Sequence, residues 1–196
     1  MHVLLINGSP HEKGCTYTAL SLVAGELNAA GITTEILNVG TKPVGGCIGC
    51  GGCAKGNGCV FGGVVNEAIE KARTADAFVF GTPVHYASAS GNMTSFLDRL
   101  AYAGGKYLAY KPAAICASAR RAGTTSALDQ LVKYPEFFHM PLVSGSYWPM
   151  VHGSNPEQVL QDEEGCAVMK ELGRNMAWLL QCIEAGKAAG IRHPEN

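Results

Sequence analysis

A chain of 196 residues, 47% of them hydrophobic, can bury a full core and is short enough to form one domain. Its net charge of −1 gives no electrostatic basis for binding nucleic acid or an anionic membrane surface. No apolar run approaches the roughly 20 residues of a membrane span, and the opening MHVLLINGSP is too short and lacks the basic flank of a secretory leader, so the expectation is a cytoplasmic protein whose thiols stay reduced.

In chain order, His2–Asn7 is an apolar run closed by the turn signal NGSP, which predicts a strand. Residues 16–30 carry Leu20, Val23 and Leu27 at helical spacing and stop at Gly31, a residue suited to end a helix. TTEILNV, residues 33–39, alternates and is rich in β-branched residues, so it predicts a second strand. A glycine- and cysteine-rich loop, residues 44–63, is inserted after it, and Val64–Thr74 then has a helical pattern. ADAFVFGTP gives a third strand over residues 76–81, halted by Pro83. Residues 90–103 form a helix with Met93, Phe96, Leu97 and Leu100 on one face. KPAAICASA is a fourth strand, residues 124–133 a helix, and residues 141–144 a fifth strand; residues 156–186 form a long, broken helical region.

The pattern is βα repeated five times. The first, third and fourth strands are apolar throughout, as strands covered on both faces must be. Right-handed crossovers then build an α/β, doubly wound parallel sheet with helices on both sides, and no composition break marks a second domain within residues 1–196. In such sheets ligands bind beyond the carboxyl ends of the strands. Three unusual loops fall there: NGSPHEKGCTYT, GTPVHYASASGNM and ASARRAGTT. The first offers the hydroxyls of Ser9, Thr16 and Thr18 at a helix start, where free N–H groups favour a phosphate, although Ser and Thr also cap helices with no ligand present. It is neither a Walker loop nor a dinucleotide fingerprint. The second places Pro83, Val84, His85 and Tyr86 where a flat aromatic ligand could lie, with Ser88, Ser90 and Asn92 adding polar groups, although a turn before a capped helix would read the same way. The third carries Arg120 and Arg121, either a solvated basic pair or a partner for an anionic ligand edge.

LLINGSPHEKGCTYTAL, GTPVHYASASGNMTSFLDR, SARRAGTT and YWPMVHG together resemble the flavodoxin-like NAD(P)H-dependent FMN reductase family, and within it the iron–sulfur flavoprotein branch. The resemblance covers nearly the whole chain. It implies a five-stranded sheet of order 2-1-3-4-5 with FMN at its carboxyl end. It implies Ser9, Cys15, Thr16 and Thr18 around the FMN phosphate, with His11 where many relatives carry Arg or Lys. Pro83, Val84, His85 and Tyr86 would flank the isoalloxazine. Ser118, Arg120 and the turn at Gly123 would lie near the ribityl chain and the pyrimidine edge. A homodimer or homotetramer with the flavin near a subunit interface is implied as well.

Four of the eight cysteines, Cys47, Cys50, Cys53 and Cys59, are spaced C-x2-C-x2-C-x5-C, which resembles the compact cluster motif of iron–sulfur flavoproteins. Four thiolates are the usual ligands of a four-iron cluster, and the surrounding glycines permit the turns needed to wrap one. Free thiols, a zinc site and a redox disulfide stay open as alternatives. Cys116, Cys166 and Cys182 have the look of ordinary buried residues.

The function expected is that of an FMN-dependent oxidoreductase. It would take hydride from NADH or NADPH and pass electrons to a quinone, a free flavin, a 4Fe-4S cluster or another small acceptor or redox partner protein. A flavodoxin-type electron carrier without its own substrate is the alternative, although such carriers are shorter and strongly acidic. A zinc-holding interaction module is a third reading. No protein acid or base is assigned a catalytic role, because the chemistry belongs to the cofactor.

Overall fold

A computed structural model describes residues 1–194 of the chain. Its central sheet contains β1 (His2–Asn7), β2 (Thr33–Asn38), β3 (Ala77–His85), β5 (Ala113–Ala119) and β6 (Met150–His152), all parallel, in the order β2-β1-β3-β5-β6. Counted along the parallel strands this is the flavodoxin order 2-1-3-4-5. A short antiparallel strand, β4 (Ser88–Ala89), pairs with the end of β3 and makes the sheet six-stranded rather than five-stranded. The helices are α1 (Cys15–Ala29), α2 (Val64–Thr74), α3 (Gly91–Gly104), α4 (Thr124–Phe137), α5 (Pro156–Gln161) and α6 (Glu163–Ala188).

Side chains alternate across the sheet, so each apolar strand feeds two cores. Leu4, Ile6, Phe78, Phe80, Ile115 and Ala117 face one core with Ile69, Phe96, Leu100 and Leu131 from α2, α3 and α4. Val3, Leu5, Val79, Ala114 and Cys116 face the other with Leu20, Val23, Leu27, Met169, Leu172 and Met176 from α1 and α6. That double coverage is why these strands show no polar face. The break in the last helical region falls at Asp162, whose carboxylate accepts from Gly165 N at 3.0 Å and so starts α6 afresh. No helix among the described residues is long and apolar enough to cross a membrane.

Two strands differ from expectation. β3 does not halt at Pro83 but runs on to His85. Gly81 turns its carbonyl toward the β1 side, where it accepts from Gly8 N at 2.9 Å. Pro83, two residues on, faces that same side after β1 has ended, so its missing N–H forfeits no ladder bond. The fifth parallel strand lies at Met150–His152, not at residues 141–144. Pro141 O and Val143 N do pair with Ala113, at 2.9 and 2.8 Å, but residues 144–148 then bulge away before Pro149 O receives Ala117 N at 3.0 Å. The edge strand is thus split, and only its second half forms a continuous ladder. α4 also continues past residue 133, carrying Pro135 in its last turn.

Candidate functional site

Order reverses between β1 and β3, and the loops beyond their carboxyl ends meet there. β1 ends at Asn7, fully buried, whose amide organises the loop that follows. Its Oδ1 accepts from Ser9 N at 3.1 Å, while Nδ2 donates to Asn38 Oδ1 at 2.8 Å and to Glu12 O at 3.2 Å. Ser9 is buried, and its Oγ accepts from His11 N at 3.1 Å. α1 begins at Cys15 with Gly14 as its N-cap and no side-chain cap, so no capping side chain covers its first-turn N–H groups. Thr16 is buried and shares a 2.8 Å hydrogen bond with Ser118 Oγ, joining the start of α1 to the end of β5.

The β3 loop is a two-residue hairpin. Tyr86 and Ala87 both take positive φ, 49° and 60°, which suits the twist of a type I′ turn but is strained for residues with a Cβ. Several contacts hold it. Gln130 Oε1 of α4 accepts from Ser88 Oγ at 2.6 Å and from Ala89 N at 3.1 Å. Gly123, at φ 93°, packs so closely that a Cβ there would lie 2.6 Å from Ala87 Cα. The Tyr86 ring is left fully in solvent at the hairpin tip. Ser90 completes the junction: its Oγ donates to Gly8 O at 2.9 Å, and its N–H reaches Thr82 Oγ1 at 3.0 Å.

The cysteine loop leaves β2 against this same junction, since a Cβ on Gly40 would collide with the carbonyl oxygens of Gly8 and Ser9. Asn92 of α3 then clamps the chain, donating to Gly40 O at 2.9 Å and Lys42 O at 3.2 Å and accepting from Val44 N at 3.1 Å. Beyond it, Cys47, Cys50, Cys53 and Cys59 are all free thiols and line a single cavity of about 260 Å³, with Phe61, Arg99 and Tyr102 among its walls. The far limb is fixed by Asn66 of α2, which accepts from Cys59 N at 2.8 Å and donates to Cys59 O at 3.0 Å. No three His, Cys, Asp or Glu side chains among the described residues converge tightly enough to hold one metal ion. Four thiols around one cavity are the donor set that a four-iron cluster takes, one thiolate per iron, and Cys47, Cys50, Cys53 and Cys59 are the residues that would hold it.

Residues 1–155 match the family described as NADPH-dependent FMN reductase. The chain belongs to that family. An iron–sulfur flavoprotein of Methanocaldococcus jannaschii is 26% identical over 192 residues, which is 94% of this chain and 100% of that protein. An iron–sulfur flavoprotein of Archaeoglobus fulgidus is 30% identical over 175 residues, covering 87% of this chain and 86% of that one. The structure of an NADH:FMN oxidoreductase in its apo form superposes with a TM-score of 0.64 at 21% identity, covering 92% of this chain and 89% of that one, a likeness of fold.

Within this FMN reductase family member, Ser9, His11, Thr16 and Ser118 gather around the start of α1, with His11 exposed at the rim. Pro83, Val84, His85, Tyr86 and Gly123 form the hairpin and its support, and Arg120 is exposed at the end of β5. Two of the expected phosphate-loop residues turn elsewhere. Thr18 Oγ1 donates back to Gly14 O at 3.1 Å, and Cys15 Sγ reaches Gly153 O at 3.5 Å, its thiol pushed up by burial. Burial pushes the Cys116 thiol to about 12, as suits an unreactive packing residue, whereas Cys166, expected to be buried, is only partly so and its Sγ donates to Val159 O at 3.2 Å. Cys182, expected to be buried, is exposed, because it lies off the Met169–Leu172–Met176–Leu180 stripe of α6. Sequence reasoning missed Asn7, Asn66, Arg99 and Gln130, and read Asn92 only as a polar group of the second loop. Asn7, closing an apolar strand, and Arg99, among apolar helix positions, were the readable signals.

Proposed function

We propose that the protein is an FMN-dependent oxidoreductase that accepts hydride from NADH or NADPH and delivers electrons by way of a four-iron cluster held by Cys47, Cys50, Cys53 and Cys59. The observation that carries the reading is spatial. Four free thiols line one cavity on a loop that starts against the phosphate-loop carbonyls and is clamped by the helix whose N-cap, Ser90, bonds Gly8. When bound, FMN supplies a ring that takes a hydride and releases electrons singly or in pairs, and the cluster supplies one-electron capacity.

The chain's own residues bind and orient. Open N–H groups at the start of α1, with Ser9 and Thr16, would hold the phosphate, and the helix dipole favours its charge. His11, Cys15 and Thr18 border that loop. Ser118 and Gly123 would line the ribityl path. Pro83, Val84, His85 and Tyr86 would flank the ring, and Arg120 would balance the negative charge that a reduced ring carries on its pyrimidine edge. We take residues 1–196 as one domain, acting in the cytoplasm as a homodimer or homotetramer. Its acceptor would be a quinone, a free flavin, another small molecule or a redox protein.

Mixing the FMN-loaded protein with NADH and with NADPH in the absence of oxygen tests the hydride half of this reading. Bleaching of the flavin bands within the time of turnover supports it. Reduction by dithionite but by neither nicotinamide would leave an electron carrier without its own hydride donor.

A further inference from the structure

Arg99 sits in α3, nine residues after the Ser90 cap, and is only 6% exposed. A buried guanidinium is costly unless its donors are satisfied and its charge is balanced. Its donors are satisfied in an unusual way. Nε donates to Cys59 Sγ at 3.2 Å, Nη1 to Gly45 O at 3.3 Å and Nη2 to Gly62 O at 3.0 Å, while the guanidinium carbon lies 5.3 Å from the Phe61 ring centroid. Gly45 precedes the first cysteine of the loop and Gly62 follows the last, so one side chain ties both limbs together. Among the described residues no carboxylate comes within ion-pair distance of Arg99. The cavity that this buried cation borders is lined by the sulfur-bearing side chains of Cys47, Cys50, Cys53 and Cys59.

We infer that Arg99 is the positioning residue of the cysteine loop: it holds the loop closed before any iron arrives and, through its N–H to the Cys59 sulfur, favours the reduced form of a cluster bound there. The first half stands on the hydrogen bonds alone. The second half rests on the cluster reading given above. Reduction of a cluster by one electron adds one negative charge, and a fixed cation bonded to a ligand sulfur stabilises the more negative state. Lysine in its place would keep the charge but lose the fork that spans the two limbs.

The test uses Arg99→Gln and Arg99→Lys in the full chain, with folding checked by far-UV circular dichroism. The exposed Lys55 lies between Cys53 and Cys59 in the single turn Gly52–Lys55, and trypsin cuts it faster when that turn unfolds. In iron-free protein, Arg99→Gln should raise nicking at Lys55 about tenfold, since even one lost charge-assisted hydrogen bond is of that size. Arg99→Lys should nick almost as fast, and cutting at the exposed Lys13 should not change. Equal nicking rates at Lys55 in wild type and both variants overturn the inference. After reconstitution with ferrous iron and sulfide without oxygen, a dithionite titration supplies the second readout. Arg99→Gln should shift the cluster couple about tenfold toward the oxidised form, which is about 59 mV for one electron, with a smaller shift for Arg99→Lys. An unchanged potential in an iron-loaded Arg99→Gln protein overturns the tuning role. If wild type takes up no iron, the cluster reading falls, and the nicking rate still decides for or against Arg99. If Arg99→Gln fails to fold, Arg99→Lys carries both readouts.

Discussion

The hydrogen bond between Thr16 and Ser118 fastens the start of α1 to the end of β5 directly beneath the proposed phosphate site, and its energetic worth can be worked out. The two hydroxyls are 2.8 Å apart, and the residues are 1% and 3% exposed. Thr16→Val keeps the shape, deletes one hydroxyl and leaves Ser118 Oγ buried without its partner. Losing the bond costs about 1 kcal/mol, and stranding the remaining group brings the total to about 1–3 kcal/mol. For a chain of this length, 2 kcal/mol is a drop of about 4–8 °C in melting temperature. Ser118→Ala strands Thr16 Oγ1 and should cost a similar amount. The double variant strands neither, so it should cost less than the two single changes combined, with a coupling of about 1–2 kcal/mol. Urea unfolding of FMN-free protein, with the slope constant across all four chains, measures the cycle. Additivity within about 0.5 kcal/mol would refute the reasoning and mean that the pair is no suture.

Gly123→Ala should cost about 1–2 kcal/mol from φ 93° alone. Its Cβ would also push Ala87 and Val84, so FMN affinity should fall at least tenfold in a fluorescence titration; unchanged affinity would detach the Tyr86 hairpin from the flavin site. The Ser146 hydroxyl and N–H hold the Glu171 carboxyl below its ordinary value, with Arg174 adding to the effect. A carboxyl with a depressed folded pKa stabilises the fold above its unfolded value of about 4.3 and loses that contribution as pH falls through the folded value. The stability gap between wild type and Ser146→Ala should therefore close in acid, and a gap that widens below pH 4 would contradict this. Cys116, pushed to about 12 by burial, should resist iodoacetamide at pH 8 in native protein, while exposed Cys47 and Cys50 are modified. Labelling of Cys116 at a matching rate would contradict its placement in the core.

The sheet was legible because burial on both faces writes itself into a strand as an unbroken apolar run, as in Val3 to Ile6 and Ala113 to Ala117. The split edge strand was not. Residues 141–144 carry a strand's composition, yet they contribute only one bridge before the chain bulges, and register within an edge strand depends on neighbours that the sequence does not display. Pro83 misled for a related reason: a proline ends a strand only where its N–H had a partner, and β1 has already ended on that side. In the site, the hydroxyls and thiols announced themselves by residue type and spacing. What escaped were the roles played through backbone contacts far along the chain. Asn92 holds Gly40, Lys42 and Val44, about 50 residues away, and Arg99 gathers Gly45, Cys59 and Gly62. An amide or guanidinium on a helix carries no local mark of such a role, apart from falling at a position whose helical neighbours are buried.

The central claim is that one chain carries both FMN and a four-iron cluster on Cys47, Cys50, Cys53 and Cys59. The most direct test is to purify the protein without oxygen, record its visible spectrum, and assay flavin, iron and acid-labile sulfide on the same sample. The account predicts flavin bands over a broad cluster absorbance, with about one FMN and about four irons per chain, the iron lost when Cys59 is replaced by Ser. Flavin with no iron, before and after anaerobic reconstitution, would contradict the cluster, and no flavin even after added FMN would contradict the whole reading.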